Sequence, residues 1–285
     1  MYIENSYSLL HKVDAKAPEL ADAQSVIQHW HGKRIRRIDR YIQLCVAGGL
    51  ACTEKRELPG NTGVYLATRC GAVSTSALVM KTIEAENELP KPLHFINTLG
   101  NSAGFYLTQL LQVTGTALVL SKEAHSFEAA LLHALMDLSL GKSEYALVGA
   151  FDEVALPVEH QLKRLNFAPD APALFEGSHW LLLSNQHKAL NVSLPIFANS
   201  LVEIVSVTQP AATNVQLSFA PTDAEREQLS EYQVNVFCQR ELDQGVAPHG
   251  AFSAASLIDA VSKTVPMLHI SRSDNGYYCA VALND

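Results

Sequence analysis

Residues 114–153, TGTALVLSKEAHSFEAALLHALMDLSLGKSEYALVGAFDE, constrain the fold more than any other stretch of the chain. An apolar run, Ala117 to Leu120, leads into the small polar turn SKEAHS. The spacing then predicts an amphipathic helix, with Ala129, Leu132, Met136 and Leu140 at three- and four-residue steps. Gly141 closes that helix, and residues 145–148 predict a second buried strand. A strand that feeds a helix through so sharp a turn sets the turn against exposed N–H groups. Those groups stabilise a thiolate or an oxyanion. This turn contains no cysteine, and that absence governs how the remaining motifs are read.

Composition narrows the class. The 285 residues hold one large domain or two small ones. Only 18% of them are charged against 48% hydrophobic, below the usual quarter for a soluble domain. No apolar run reaches the length of a membrane span. The low charge therefore predicts an extensive interface with another chain, although a core rich in Gly and Ala lowers it too. A net charge of −8 argues against nucleic-acid binding, which needs a basic face. Cys45, Cys52, Cys70, Cys238 and Cys279 are odd in number and lack CxxC spacing. They fit a reducing compartment and core packing better than a disulfide or zinc framework. The start, MYIENSYSLLHK, lacks the order of a signal peptide, so a cytoplasmic location is expected.

Along the chain, residues 1–11 read as an edge strand and residues 22–31 as a helix. A second helix is expected from near Arg36, with Ile38, Ile42, Cys45, Val46 and Leu50 at helical spacing. Strand 63–68 and helix 73–87 follow, ended by Pro90 and Pro92. Residues 93–99 read as extended, and Asn101 opens a helix to about Val113. Past Val154 the chain loosens through NFAPDAPALFEG. Strands are expected at 180–184, 201–207, 215–219, 234–238 and 277–283. Helices are expected within 220–231, capped by Thr222 and Asp223, and over 253–264. Strands without polar alternation, set between helices, define an α/β layered fold.

The ordered motifs resemble a β-ketoacyl synthase of the thiolase-like superfamily. Arg36-Arg37-Ile38-Asp39-Arg40 is similar to that family's basic segment before an early helix. LGNSAG around Asn101 is similar to its Asn-containing helix start, and Gly115 to its Gly-Pro turn before the elbow. GKSEYALVGAFDE resembles its glycine-bearing strand, EGSHWLLL at 176–183 its EGAG strand, and Val234-Asn235 the start of its VNAHGT motif. The resemblance is ordered over residues 34–184 and patchy beyond. It implies a thiolase-like αβαβα fold with a truncated C-terminal half. Residues 1–155 would form the ketosynthase-like half with the elbow, and 156–285 a reduced second half of one compact unit.

The family condenses acyl thioesters through a cysteine nucleophile, two histidines and a lysine. The cysteine accepts the acyl chain as a thiolate, and the histidines stabilise the oxyanions. Carried over position by position, the nucleophile falls on Ala124, whose methyl can neither attack nor leave. The VNAHGT histidine falls on Phe237 and the following glycine on Cys238. His249, in PHGAFSAASLIDAV, is similar to the second histidine, one residue out of register and with no lysine nearby. The Gly-Phe-Gly-Gly loop is replaced by Arg272-Ser273-Asp274-Asn275-Gly276. These losses resemble the chain length factors, non-catalytic members that pair with an active ketosynthase in type II polyketide and aryl polyene systems. Those factors commonly hold glutamine where the cysteine stood, and here the residue is alanine.

The resemblance implies a subunit of a β-ketoacyl-acyl-carrier-protein synthase heterodimer that is no enzyme by itself and needs no cofactor. Its partners would be the active ketosynthase and, through it, the acyl carrier protein. Candidate tunnel or interface residues are Phe95, Asn101, Phe105, Tyr106, Leu118 and Leu120, though aromatic residues at such spacing also serve as plain core. Arg34, Arg36 and Arg37 lie in a dense basic segment that would steer an acidic carrier protein, or form a solvated helix start. Two alternatives stand beside this reading. One is a divergent acyltransferase or hydrolase using Ser126, and the other a homodimeric scaffold holding a carrier-linked acyl chain. His29 and His31 lack a further ligand cluster, so no metal is expected.

Overall fold

Strands buried on both faces organise the molecule, as their unbroken apolar runs require. The computed structural model describes residues 1–165, 173–188, 190–208, 214–238 and 251–284. In the first sheet β1 (Tyr2–Asp14) pairs antiparallel with β5 (Ala173–Ser184), which pairs antiparallel with β4 (Tyr145–Asp152). Beyond β4, β2 (Gly63–Ala67) and β3 (Ala117–Leu120) continue in parallel. β5 was legible only over its last five residues; its register runs from Asp14↔Ala173 to Tyr2↔Ser184.

The second half repeats this plan. β9 (Asn235–Cys238), β8 (Asn214–Leu217) and β10 (Met267–Arg272) are parallel, and β11 (Tyr278–Asn284) is antiparallel to β10. β7 (Ile196–Ala198) pairs antiparallel with β11, in the place that β1 holds beside β5. β6 (Asn191–Val192) touches both β1 and β11, so one hydrogen-bonded path runs through both halves. The duplication lies in topology, not in a sequence period.

Helices fill the layers. α6 (Ser126–Ser139) follows β3, and α10 (Phe252–Ser262) precedes β10. Leu131, Leu135 and Leu138 of α6 pack with Leu257, Ile258 and Val261 of α10. The same cluster takes Val148 and Leu181 from the first sheet and Met267 and Val281 from the second. Alternate residues face outward. Leu147, Phe151, Trp180 and Leu182 join α2 (Arg40–Thr53), while Leu217, Leu268 and Ile270 join α8 (Leu201–Thr208) and α9 (Asp223–Ser230). Helix, sheet, helix, sheet and helix succeed one another, which is the αβαβα arrangement.

Several local expectations are corrected. α2 begins at Arg40, not near Arg36, because Asp39 caps it: its Oδ1 accepts from the Ile42 amide at 3.0 Å. Residues 93–99 are not extended. Pro92 stands at the first position of a short helix, α4 (Pro92–Asn97), where its missing N–H costs nothing. Residues 201–207 form α8 rather than a strand. The β-branched residues pointed to a strand, yet Leu201, Ile204 and Val205 share one buried face. Ser200 caps the helix, its Oγ accepting from the Glu203 amide, and the Glu203 carboxylate accepts from the Asn199 amide just before the cap. The remaining helices are α1 (Ala23–His31), α3 (Val73–Glu84), α5 (Asn101–Leu111) and α7 (Val158–Arg164).

Candidate functional site

The elbow is present. β3 ends at Leu120, a 3₁₀ turn spans Glu123–His125, and α6 begins at Ser126. Glu123 takes φ 49°, a left-handed conformation that folds the turn tightly onto the helix start. Ser126 closes the turn. Its hydroxyl donates to the Glu123 carbonyl at 2.7 Å and accepts from the Lys122 amide at 2.8 Å. A serine whose proton is committed to the backbone has no base to activate it, so the geometry does not favour Ser126 as a nucleophile.

Ala124 reaches the wall of a cavity of about 790 Å³. Ser253 at the start of α10, Ser271 and Arg272 on β10, and Arg69 after β2 line it with Ala124. Arg272 forks onto the Glu225 carboxylate at 2.6 and 2.7 Å, and Arg69 pairs with Asp274 at 2.5 Å. Both guanidinium groups at the mouth are thus partly neutralised. Arg272, Ser273, Asp274 and Gly276 line this cavity, where the resemblance expected a Gly-Phe-Gly-Gly loop.

Behind the cavity wall lies a buried polar group that the sequence did not reveal. Glu128, in the first turn of α6, is 1% exposed. Its Oε1 accepts from the Ser271 hydroxyl at 2.6 Å and its Oε2 from the Ser253 hydroxyl at 3.4 Å. Burial pushes the carboxyl up to about 7, while the two serines pull it back. His125 and His269 are buried nearby, and burial pushes His269 down to about 3. The His125 ring meets Phe197 edge-on at 5.8 Å, beside a second cavity of about 560 Å³. An acidic residue amid FEAALL and a histidine within MLHISR were the available signals, and each also fits a solvated position.

Phe237 lies on β9, partly exposed, with Lys263 Nζ 5.0 Å from its ring centre. His249 lies outside the described residues. The tunnel or interface candidates separate into two groups. Phe95 on α4, Asn101 and Phe105 on α5, and Leu118 on β3 are exposed, whereas Tyr106 and Leu120 pack partly against the core. Met80 and Ile83 on α3, Ile96 on α4 and Leu99 just after it are exposed as well. Arg34, Arg36 and Arg37 are exposed between α1 and α2, and among the described residues no ion pair engages them. Among the described residues no group of His, Cys, Asp or Glu has metal-site geometry, and no helix is long and apolar enough to cross a membrane.

The layers, the duplicated topology and the elbow together define a ketosynthase-type, thiolase-like fold. Solved structures agree: the ishigamide ketosynthase/chain length factor superposes with a TM-score of 0.71 at 15% identity, covering 99% of this chain and 98% of that one. A type II polyketide synthase acyl-carrier protein in complex with its ketosynthase, AntDE:AntF, gives 0.68 at 14% identity, with 99% and 98% coverage. A beta-ketoacyl synthase from Burkholderia phymatum gives 0.70 at 9% identity, again with 99% and 98%. At these identities the likeness establishes the fold. No protein-family model and no curated protein matches the chain.

Proposed function

We propose that this chain is a non-catalytic ketosynthase-like subunit, a chain length factor, of type II polyketide or aryl polyene biosynthesis. One observation carries the reading: an intact elbow opens on a cavity and presents only the Ala124 methyl group. A fold that keeps the scaffold but not the nucleophile has lost covalent acyl transfer at that point. What the scaffold still offers is shape. The factor would stabilise an active ketosynthase and close the tunnel in which its acyl chain grows.

The exposed apolar flank supports a partner. Among the described residues β3 pairs only with β2; its Leu118 is exposed, as are Phe105 on the neighbouring α5 and Phe95 on α4. A large apolar patch on a soluble protein marks an interaction surface, and an unpaired strand edge is a template for another strand. The ketosynthase would meet this face, with Tyr106 and Leu120 beneath it. An acidic carrier protein would be steered by Arg34, Arg36 and Arg37, a basic island on a chain of net charge −8. The complex would work in the cytoplasm without a cofactor.

Co-expression with a cysteine-bearing ketosynthase from the same organism tests this. The expected outcome is a soluble complex whose product length changes when Phe105 is replaced by Ala. A ketosynthase that is soluble and active without this chain, making products of unchanged length, would defeat the proposal.

A further inference from the structure

We propose that Glu128 sets the hydrogen-bonding sense of the elbow cavity, making its inner wall a receptor for a ligand end that donates a hydrogen bond, such as an alcohol. The argument starts from the hydroxyl inventory. Ser253 and Ser271 face the cavity, and each hydroxyl has one proton and two lone pairs. Both hydroxyls are directed at the Glu128 carboxylate, Ser271 closely at 2.6 Å and Ser253 in a longer contact at 3.4 Å. The 2.6 Å separation suits a hydroxyl donating to a carboxylate. With its proton committed, each serine shows the cavity lone pairs alone.

Beside the two serines the wall is apolar, while Asn199, Ser200, Ser218 and Gln228 elsewhere in the lining carry donors that the remainder of a ligand would meet. Ala124 offers a methyl group and Phe252 a ring. The arginines at the mouth are held by Glu225 and Asp274. Glu128 forms no ion pair among the described residues, and its oxygens are served by the two serines. A ligand whose inner end is a hydroxyl can give its proton to a serine oxygen. A ketone of similar size would set its oxygen against serine lone pairs and leave itself unpaired, a penalty that costs affinity strongly in a desolvated site. Glu128 does not touch the ligand; it is a positioning residue acting through Ser253 and Ser271. The inference concerns the isolated chain and holds whether or not that chain pairs with a ketosynthase.

Substitution Glu128→Gln gives a test specific to this role. The glutamine amide keeps the shape, accepts from one serine and donates to the other. The second serine is then free to turn its own proton into the cavity. The probes are 1-octanol and 2-octanone, titrated by NMR into the full chain at about pH 8.5, where a carboxyl that ionises near 7 carries its charge. The wild type is expected to bind the alcohol on the order of tenfold more tightly than the ketone, and Glu128→Gln to bring the two to near parity. Ser271→Ala provides a second arm: it should weaken the alcohol and leave the ketone unchanged. Equal affinities in the wild type, no binding of either probe, or an alcohol preference that survives both substitutions would overturn the assignment.

Discussion

Buried ionisable residues give the stability of this protein a pH dependence that can be assigned to single side chains. Glu153, at the end of β4, is 2% exposed, and its Oε1 accepts from the Ser74 amide at 2.8 Å while its Oε2 has no hydrogen-bond partner. Burial pushes its carboxyl up to about 7, so the folded state favours the protonated form. Its contribution is therefore full below the unfolded carboxyl value and is lost as pH rises through about 7. His269 acts oppositely: burial pushes it down to about 3, and stability is lost as pH falls below the usual histidine value. The two trends oppose each other in mildly acid solution, so a subtraction is needed to separate them. Glu153→Gln keeps an acceptor for Ser74 and removes the charge. Relative to the wild type, the variant should gain roughly 2–3 kcal/mol of unfolding free energy between about pH 5 and pH 8. Denaturant titrations at both pH values measure this, and a difference that stays constant with pH would refute the assignment.

At the scale of elements, the clearest device is the slot that seats Trp180 between α2 and β4. Gly48 and Gly149 face the indole, and a Cβ would come within 2.1 Å of Trp180 Nε1 at the first and 2.3 Å of its Cδ2 at the second. The indole stacks on Phe151 at 6.0 Å and donates to Ser178 Oγ, which in turn donates to the Leu44 carbonyl. Alanine is normally the better helix former by about 1 kcal/mol. In this slot Gly48→Ala should instead destabilise by about 1–3 kcal/mol through overpacking, and Trp180→Phe in the same chain should recover part of the loss. A Gly48→Ala protein more stable than the wild type in urea would show that no slot exists. This glycine also marks how much of the fold could be read in advance. α2 and α6 were legible because their apolar residues recur at helical spacing, and β4 because a strand buried on both faces is apolar throughout. α8 was not, since VEIVSV carries β-branched residues that suit a strand equally well and only Ser200 and Glu203 reveal the cap. The elbow at Ala124 followed from strand, turn and helix in order. Glu128 did not, because an acid in an otherwise apolar helix is usually solvated and its serine partners stand 125 and 143 positions away.

At the scale of the whole molecule, one topology used twice produces two sheet edges of different character. Among the described residues β3 ends the first sheet and β9 the second. Both are short and carry exposed apolar residues, Leu118 on β3 and Val236 and Phe237 on β9. β3 packs beside α5, which carries the exposed Phe105. At the other edge Lys263 lies over Phe237, 5.0 Å from the ring, and places a cation beside the strand. A cation beside an edge disfavours strand pairing; Lys263 also pairs with Asp259 at 3.0 Å and donates to Gln216 at 2.7 Å, so its charge is partly neutralised and β3 is the less guarded of the two edges. Association, whether with a ketosynthase or with a second copy, should therefore run through β3. Leu118→Lys would set a charge into that contact while leaving the core intact, since Leu118 is 37% exposed in the isolated chain. It should weaken association at least about tenfold, the cost of placing a lysine where a strand and apolar helices meet. Val236→Lys on β9 is the matched control and should leave association unchanged. Sedimentation velocity of the co-expressed proteins distinguishes the two edges, and a Leu118→Lys chain that assembles as firmly as the wild type would move the interface away from β3.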